Sequence, residues 1–281
     1  MTNKSNTSIL ISSDNFDLVT TFCILDDLIK CFGFKRFGRK PYLSLSEIAT
    51  ITLIGCVYEC GCLKSLYKLL CDKFSSDFHL PCYKNFVNLM NNHSAQLSVI
   101  IHFICCLNNQ TEGVITFCDS TKVEVCKIYR EYRHQTMKLI ASKSKSTTGW
   151  FYGLRLHVLC DKHGNLRQIK FTTATTGERE VLDQFLNNIR NCIIVADAGY
   201  VSKNLNQKAN QNNNILLTAV RKNMKTLATV FQTKCLNMRS RIESVFDVLK
   251  ERFNLITSLP RSINGYLAHY IRSIFGYMFL D

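Results

Sequence analysis

The stretch Cys192-Ile193-Ile194-Val195-Ala196-Asp197-Ala198-Gly199-Tyr200 decides how this chain is read. An apolar run of five residues that stops on an acid reads as a short buried strand with a carboxylate at its end. A second run of the same kind, Val114-Ile115-Thr116-Phe117-Cys118-Asp119-Ser120, places Asp119 in the same position well upstream of Asp197. In α/β sheets, functional groups are commonly exposed at the carboxyl ends of strands. Asp119 and Asp197 are therefore the first candidate site residues.

Working outward, Val114–Cys118 and Lys122–Cys126 read as two short strands, and Trp150–Cys160 as another. Asp161-Lys162-His163-Gly164-Asn165 has turn composition and Leu166–Thr173 follows as a hairpin partner. Lys143–Gly149 is polar and reads as flexible. Glu178–Ile189 is expected to be helical, Cys192–Ala196 a strand, Ser202–Gln211 a helix and Ile215–Val220 a strand. Arg239–Phe253 has the clearest helical period. This order predicts an α/β domain with a mixed sheet. Residues 1–110 read as mostly helical, with segments over Asp14–Phe32, from Ser44 or Ser46 towards Cys60, and over Leu63–Lys73, Tyr83–Met90 and Ala95–Leu107. Two domains are expected, 1–110 and 111–281. For the helical half, DNA binding, dimerisation and simple buttressing all stay open.

Charge divides the chain unevenly. The formal net charge is +14. Residues 1–118 carry only +1 of it and residues 119–281 carry +13. An excess concentrated beside the candidate acids fits a polyanionic partner. The 14 cysteines lack zinc-ligand spacing, and many sit inside apolar runs as small core residues. They imply a reducing, cytoplasmic setting. Met1–Ser13 is polar and does not read as a signal peptide, and Ile48–Leu63 is interrupted by Glu59 and too short to span a membrane. No Gly-rich phosphate loop and no nucleophile elbow is present, which argues against ATP hydrolysis and serine hydrolysis.

Glu243 is the third candidate. At about 100° per residue, with Glu243 at zero, Arg239 falls at about −40°, Asp247 at about +40° and Lys250 at about −20°. Ile242, Phe246, Leu249 and Phe253 form an adjacent apolar stripe between about −60° and about −120°. Glu243 thus sits beside a stripe that packs. Taken alone, the helix reads as surface ion pairs worth a few tenths of a kcal/mol. Together with two strand-end aspartates it reads as a carboxylate site. Such a set suits a pair of Mg²⁺ or Mn²⁺ ions about 4 Å apart, the arrangement that phosphodiester chemistry requires.

Asp119-Ser120, Gly153-Leu154-Arg155-Leu156-His157, Asp197-Ala198-Gly199-Tyr200 and Arg239-xxx-Glu243-xxxxxx-Lys250 resemble the DDE transposases of bacterial insertion sequences, in the group with an Asp-x-Gly-Tyr second block. The resemblance covers residues 119–281 and extends loosely to Leu43–Glu47 and Pro81–Val87. It implies a ribonuclease H-like mixed sheet flanked by helices. It further implies that Asp119, Asp197 and Glu243 bind two Mg²⁺ or Mn²⁺ ions and catalyse DNA cleavage and strand transfer. The implied partners are double-stranded DNA, as terminal inverted repeats and target, and further copies of the chain as a homodimer or larger multimer. The implied location is the cytoplasm, on the nucleoid, with no membrane. Arg239 and Lys250 would lie near the scissile DNA, and Arg155, Arg221, Lys222 and Lys225 are read as further DNA contacts. Two positions depart from the family pattern. Leu236 stands where a Tyr is common, and Glu178 follows Gly177 where an Asn is common. A catalytically inactive DNA-binding relic and a nuclease acting on RNA or hybrids are the alternatives.

His157 lies on the same strand face as Arg155 and reads as a sheet histidine. His134 is placed near phosphate or solvent, and Trp150 in the core with base stacking as the minority reading. Glu178, Glu180, Asp183 and Asp247 are extra acids, of which Asp247 is the stand-in for Glu243.

Overall fold

The computed structural model describes residues 16–34, 38, 41–111, 114–219 and 229–280. They form two compact units. One takes the described residues up to Ile101 together with Leu249–Leu255 and the described residues from Leu259 on; the other takes His102–Val248 and Ile256–Ser258. The chain from 259 onward, which the sequence reading grouped with the sheet, thus folds with the helices.

The helical unit contains α1 (Leu18–Cys31), α2 (Leu45–Val57), α3 (Leu63–Lys73), α4 (Tyr83–Asn92), the first part of α5 (Ser94–Asn109) and the last helix of the chain. Ser44 caps α2. Its hydroxyl accepts from the Glu47 amide at 3.2 Å while the Glu47 carboxylate accepts from the Ser44 amide at 2.6 Å, the reciprocal capping box. Ser46 instead donates to Asp26 on α1. α2 buries Ile48 through Ile54 on every side, as a central helix does.

The second unit is built on one mixed sheet. Its strands are β1 (Ile115–Cys126), β2 (Ser142–Ser146), β3 (Gly149–Asp161), β4 (Leu166–Thr173), β5 (Ile193–Ala196) and β6 (Ile215–Thr218). The order is β2-β3-β1-β5-β6, with β4 also on β3. β1 and β3 are antiparallel, as are β3 and β4, whereas β1, β5 and β6 run parallel. The antiparallel meander followed by two parallel crossover strands is the ribonuclease H-like arrangement that the resemblance implied. α6 (Glu178–Phe185) and α7 (Lys203–Gln211) cover one face, where Cys118, Ile194, Ala196, Leu182 and Leu205 share a buried cluster. α8 (Val230–Asn237), which touches β5 and β6, leads into α9 (Ser240–Glu251), and α10 (Ile263–Leu280) closes the chain.

Several expectations change. The two strands predicted at 114–126 are one, because β1 stays paired with β3 from Thr116 to Cys126 across an irregularity near Glu124. Lys143–Gly149 is not flexible: Ser142–Ser146 forms β2, hydrogen-bonded to Gly149–Gly153. The alternation Ser-Lys-Ser-Lys-Ser keeps Lys143 and Lys145 outward, and lysines suit an edge strand. The helix predicted over 178–189 stops at Phe185 and continues as a 3₁₀ turn over Leu186–Asn188. α8 and α10 carry no clean apolar stripe and were not anticipated. α10 buries residues on several sides.

Gly153 pairs with Glu124 on β1 and with Ser142 on β2. A Cβ there would collide with the Val123 carbonyl oxygen and stand 3.0 Å from the Glu124 Cα. These are backbone atoms that cannot rotate away. Gly153→Ala is expected to lower stability by about 2 kcal/mol or more, as overpacked sites do. Urea unfolding measures it; an unchanged midpoint would contradict this packing.

Candidate active site

β1 and β5 share a parallel ladder from Ile115 and Ile193 to Cys118 and Ala196. The next residue on each strand is an aspartate. Asp119 and Asp197 therefore emerge side by side, on the opposite sheet face from Cys118 and Ala196. Each carboxylate accepts a hydrogen bond from the amide of the following residue, Ser120 at 2.8 Å and Ala198. Asp197 ends its strand and opens a 3₁₀ turn, Ala198–Tyr200, anchored by the buried Tyr200. Asp119 does not end its strand. It marks the end of the ladder with β5, while the other edge of β1 stays paired, Asp119 opposite Val158.

Arg239 immediately precedes α9 and joins the acids. Its Nη1 lies 3.9 Å from Asp119 Oδ2 and 3.7 Å from Asp197 Oδ1, and its Nη2 donates to Glu243 Oε1 at 3.0 Å. One guanidinium thus meets an oxygen of all three predicted acids. α9 is seated by buried Ile242, Val245 and Phe246 and by Arg241, which donates to the His163 carbonyl in the β3–β4 turn at 2.6 Å. Asp247, weighed as a stand-in, is exposed; the acid that reaches Arg239 is Glu243. Asp119 is the least exposed carboxylate of the three. Burial pushes its pKa up to about 6, and the negative charges of Glu178 and Asp197 push the same way, against the Ser120 amide and Arg239.

The first turn of α6 adds a fourth acid that the sequence reading noted but did not place in the site. Glu178 Oε1 accepts from Ser120 Oγ at 2.7 Å and from Arg155 Nη1 at 2.7 Å, and Arg155 also reaches Ser120 Oγ at 3.3 Å. Next to it, Arg179 Nε donates to the Gly199 carbonyl at 2.8 Å. One helical turn therefore holds both aspartate-bearing segments. Arg155, expected to contact DNA, has its guanidinium directed onto Glu178 and Ser120. The available signal was Glu178 itself, at the position where the family pattern has Asn.

Other expected residues lie elsewhere. His157 is 1% exposed, its Nε2 is 2.9 Å from Thr172 Oγ1, and burial lowers its pKa to about 4, so it serves the sheet. Trp150, expected in the core, is 57% exposed. His134 is half-buried and stacks edge-on with Tyr152. Lys250 lies in the last turn of α9, half-buried. Arg221, Lys222 and Lys225 fall outside the described residues.

Among the described residues, no group of three or more His, Cys, Asp or Glu side chains stands arranged to hold a metal ion. The donor set nevertheless suits one. It consists of carboxylate oxygens, the ligands hard dications prefer. One guanidinium also balances only one of three carboxylates; burial first, and the charges of Glu178 and Asp197 after it, raise the Asp119 pKa. No helix among the described residues is long and apolar enough to cross a membrane.

A family model described as a transposase DDE domain matches residues 109–263, more than half of the chain. No curated protein matches it in sequence. Among solved structures, the piggyBac transposase synaptic complex with hairpin DNA is similar at 11% identity, a TM-score of 0.44, and coverage of 94% of this chain and 75% of that one. The Mos1 transposase paired-end complex with left transposon end gives 12% identity, a TM-score of 0.26 and coverage of 84% and 77%. The Mos1 mariner paired-end complex with Mn gives 12%, 0.26, 89% and 84%.

The Asp119 shift has a measurable consequence. Its carboxyl holds a proton more tightly in the folded chain, at about 6, than at the ordinary 3.8. Stability should therefore fall as pH rises from about 4 through about 6, by up to about 3 kcal/mol. Asp119→Asn removes this loss. Metal-free Asp119→Asn should unfold at higher urea than the parent at pH 7.5 and at the same urea near pH 4. Comparison with the parent cancels the opposite trend from His157. A difference that does not vary with pH would refute the shift.

Proposed function

The chain belongs to the transposase DDE domain family, and we propose that its DNA chemistry is carried by Asp119, Asp197 and Glu243. The observation that carries this reading is the guanidinium of Arg239, in reach of all three carboxylates. Two neighbouring strand segments and one helix supply the acids, and the helix brings its own counter-ion.

The three carboxylates would hold divalent ions, Mg²⁺ or Mn²⁺, which in such sites activate the attacking oxygen and stabilise the leaving oxygen. The chain's own residues do the rest. Asp119 is fixed by the Ser120 amide and Asp197 by the Ala198 amide. Glu243 is presented on a packed helix, where a small displacement is resisted by the buried Ile242 and Phe246. Arg239 offsets part of the acids' negative charge and would stand as a cation beside the scissile phosphodiester. Lys250 is proposed as a second phosphate contact, with Arg221, Lys222 and Lys225 as further ones. The substrate ends would be the terminal inverted repeats, cleaved and then joined to target DNA through the freed 3′-hydroxyl. A multimer of the chain would bring two ends together. The helical unit would contribute DNA binding or dimerisation. Cysteines that are all free thiols fit a reducing compartment that holds DNA.

Asp119→Ala, Asp197→Ala and Glu243→Ala should each lower cleavage and strand transfer by at least about a thousandfold, while affinity for end DNA changes less than about threefold. Saturable Mn²⁺ binding, followed by electron paramagnetic resonance, should vanish in Asp119→Asn. Full strand transfer by any single variant would remove that acid from the site. Faster cleavage of an RNA–DNA hybrid than of duplex DNA would favour the nuclease alternative.

A further inference from the structure

Between β1 and β3 the chain makes an arm that the carboxylate site does not use. It consists of a 3₁₀ turn over Ile128–Arg133, the segment to Ala141, and the β2–β3 hairpin. The arm is tied together. Lys143 Nζ on β2 donates to Glu131 in the 3₁₀ turn at 2.9 Å, and His134 packs edge-on against Tyr152 of β3 at 6.2 Å. The hairpin closes through Gly149, at φ 119°, whose carbonyl accepts from Ser146 Oγ.

On this ordered base sit large side chains with no cover. Tyr132 and Leu139 are 86% exposed, Tyr129 is 70% exposed and Trp150 57%. Single exposed apolar residues are ordinary, but here three aromatics share one short arm. They are interleaved with cations. Lys127, Arg130, Arg133, Lys138, Lys143 and Lys145 are all exposed, against the single acid Glu131, which Lys143 already pairs. Lys145 stands directly opposite Trp150 in the hairpin, and Lys143 Nζ lies 5.7 Å from the Trp150 ring centroid. The Lys143 pKa is raised, first by its bond to Glu131, and Tyr132 adds to the effect. Glu131, Lys143 and Trp150 are therefore neighbours on one surface, and Tyr132 follows Glu131 in the same 3₁₀ turn.

The chemistry of that surface is specific. Flat rings open to solvent offer faces to other flat rings, and cations around them attract phosphates. A paired duplex hides the faces of its bases, so the matching partner is DNA with unpaired bases. We propose that the arm is a stacking platform for unpaired DNA bases, with Trp150 and Tyr132 taking the bases and the surrounding lysines and arginines the phosphates. This deepens the reading of the chain as an enzyme of DNA and rests on it. Strand cleavage produces ends whose terminal bases can leave the duplex, and the platform would hold them.

Trp150 is the only tryptophan of the chain, so it reports directly. The full chain is titrated with a single-stranded DNA oligonucleotide, its fully paired duplex, and single-stranded RNA of the same sequence, while tryptophan emission and anisotropy of the labelled nucleic acid are recorded. Single-stranded DNA should quench Trp150 by at least about half, and the duplex should bind with little quenching. Trp150→Ala and Tyr132→Ala should each weaken single-stranded DNA binding at least about fivefold. Trp150→Phe should restore most of the loss. Lys143→Ala with Lys145→Ala should flatten the slope of log affinity against log salt by about one to two, at about 0.7 for each phosphate no longer neutralised. Mn²⁺ binding should be unaltered in all of them. DNA binding without quenching, an unchanged affinity in Trp150→Ala, or tighter binding of the RNA would overturn the platform while leaving the three acids in place. Loss of Mn²⁺ binding in Asp119→Asn with no DNA binding by the parent would overturn the platform and keep the metal reading. Absence of both would overturn both.

Discussion

The parallel ladder that ends at Cys118 and Ala196 fixes where the charged groups of this molecule go. Strand alternation sends Cys118 and Ala196 into the cluster under α6 and α7, and so sends the next residues, Asp119 and Asp197, to the other face. A slip of β1 by one residue in this register would turn Asp119 towards that cluster and Cys118 away from it, and the two acids would no longer emerge together. The hydrophobic pairing of β1 and β5 is thus also what aligns the acids. The opposite faces are used differently. Glu243 and Arg239 approach on the aspartate face, while Glu178 and Arg155 hold Ser120 on the other. Asp119 is held through both.

Electrostatics explains why so much scaffolding surrounds three acids. Like charges about 4 Å apart repel by about 4 kcal/mol at an effective dielectric of 20. Unscreened acids would push the segments apart or take up protons; at Asp119 burial is the main cause of the raised pKa, and Glu178 and Asp197 add to it. Arg239 relieves part of this. Glu178 would worsen it, but Arg155, 2.7 Å away, pairs with it. The departure at Glu178 from the family's Asn is therefore accompanied by a partner that offsets its charge. The Leu236 departure lies on α8, and nothing in the structure explains it.

The parts of this architecture legible in sequence were those with strong local chemistry. The start of α2 at Ser44 or Ser46, the Leu63–Lys73 helix and the Leu166–Thr173 strand depend on neighbours in the chain, and they appear where the pattern put them, with Ser44 the one of the two serines that caps. The helix angles of Arg239 and Glu243 were likewise computable, since both lie within one turn. What sequence could not carry were pairings made at a distance. β2 looks like a polar loop, because its strand character comes from hydrogen bonds to β3. Glu178 looks like any acid in a first helical turn until Ser120, far earlier in the chain, is beside it. Trp150 was misread for the opposite reason. Size predicts burial on average, and an exposed tryptophan is visible only once its surroundings are.

Exposed rings and clustered acids belong to one problem. A cluster with net negative charge repels DNA, so the force that brings the phosphates in must come from elsewhere on the unit. β3 joins the two places. Trp150 stands near its start, and Val158, opposite Asp119, eight residues on. At about 3.3 Å per residue this is roughly 26 Å, the length of about eight base pairs at ~3.4 Å each. On the proposed reading, cations on the arm would attract a strand whose scissile bond lies at the acids, with their charges beyond the Debye length of about 8 Å from one another. The arm's positive charge would then not neutralise the carboxylates proposed to hold a dication, and the carboxylates would not weaken the arm's grip. Separation along β3 would let one unit attract a polyanion and keep an anionic site.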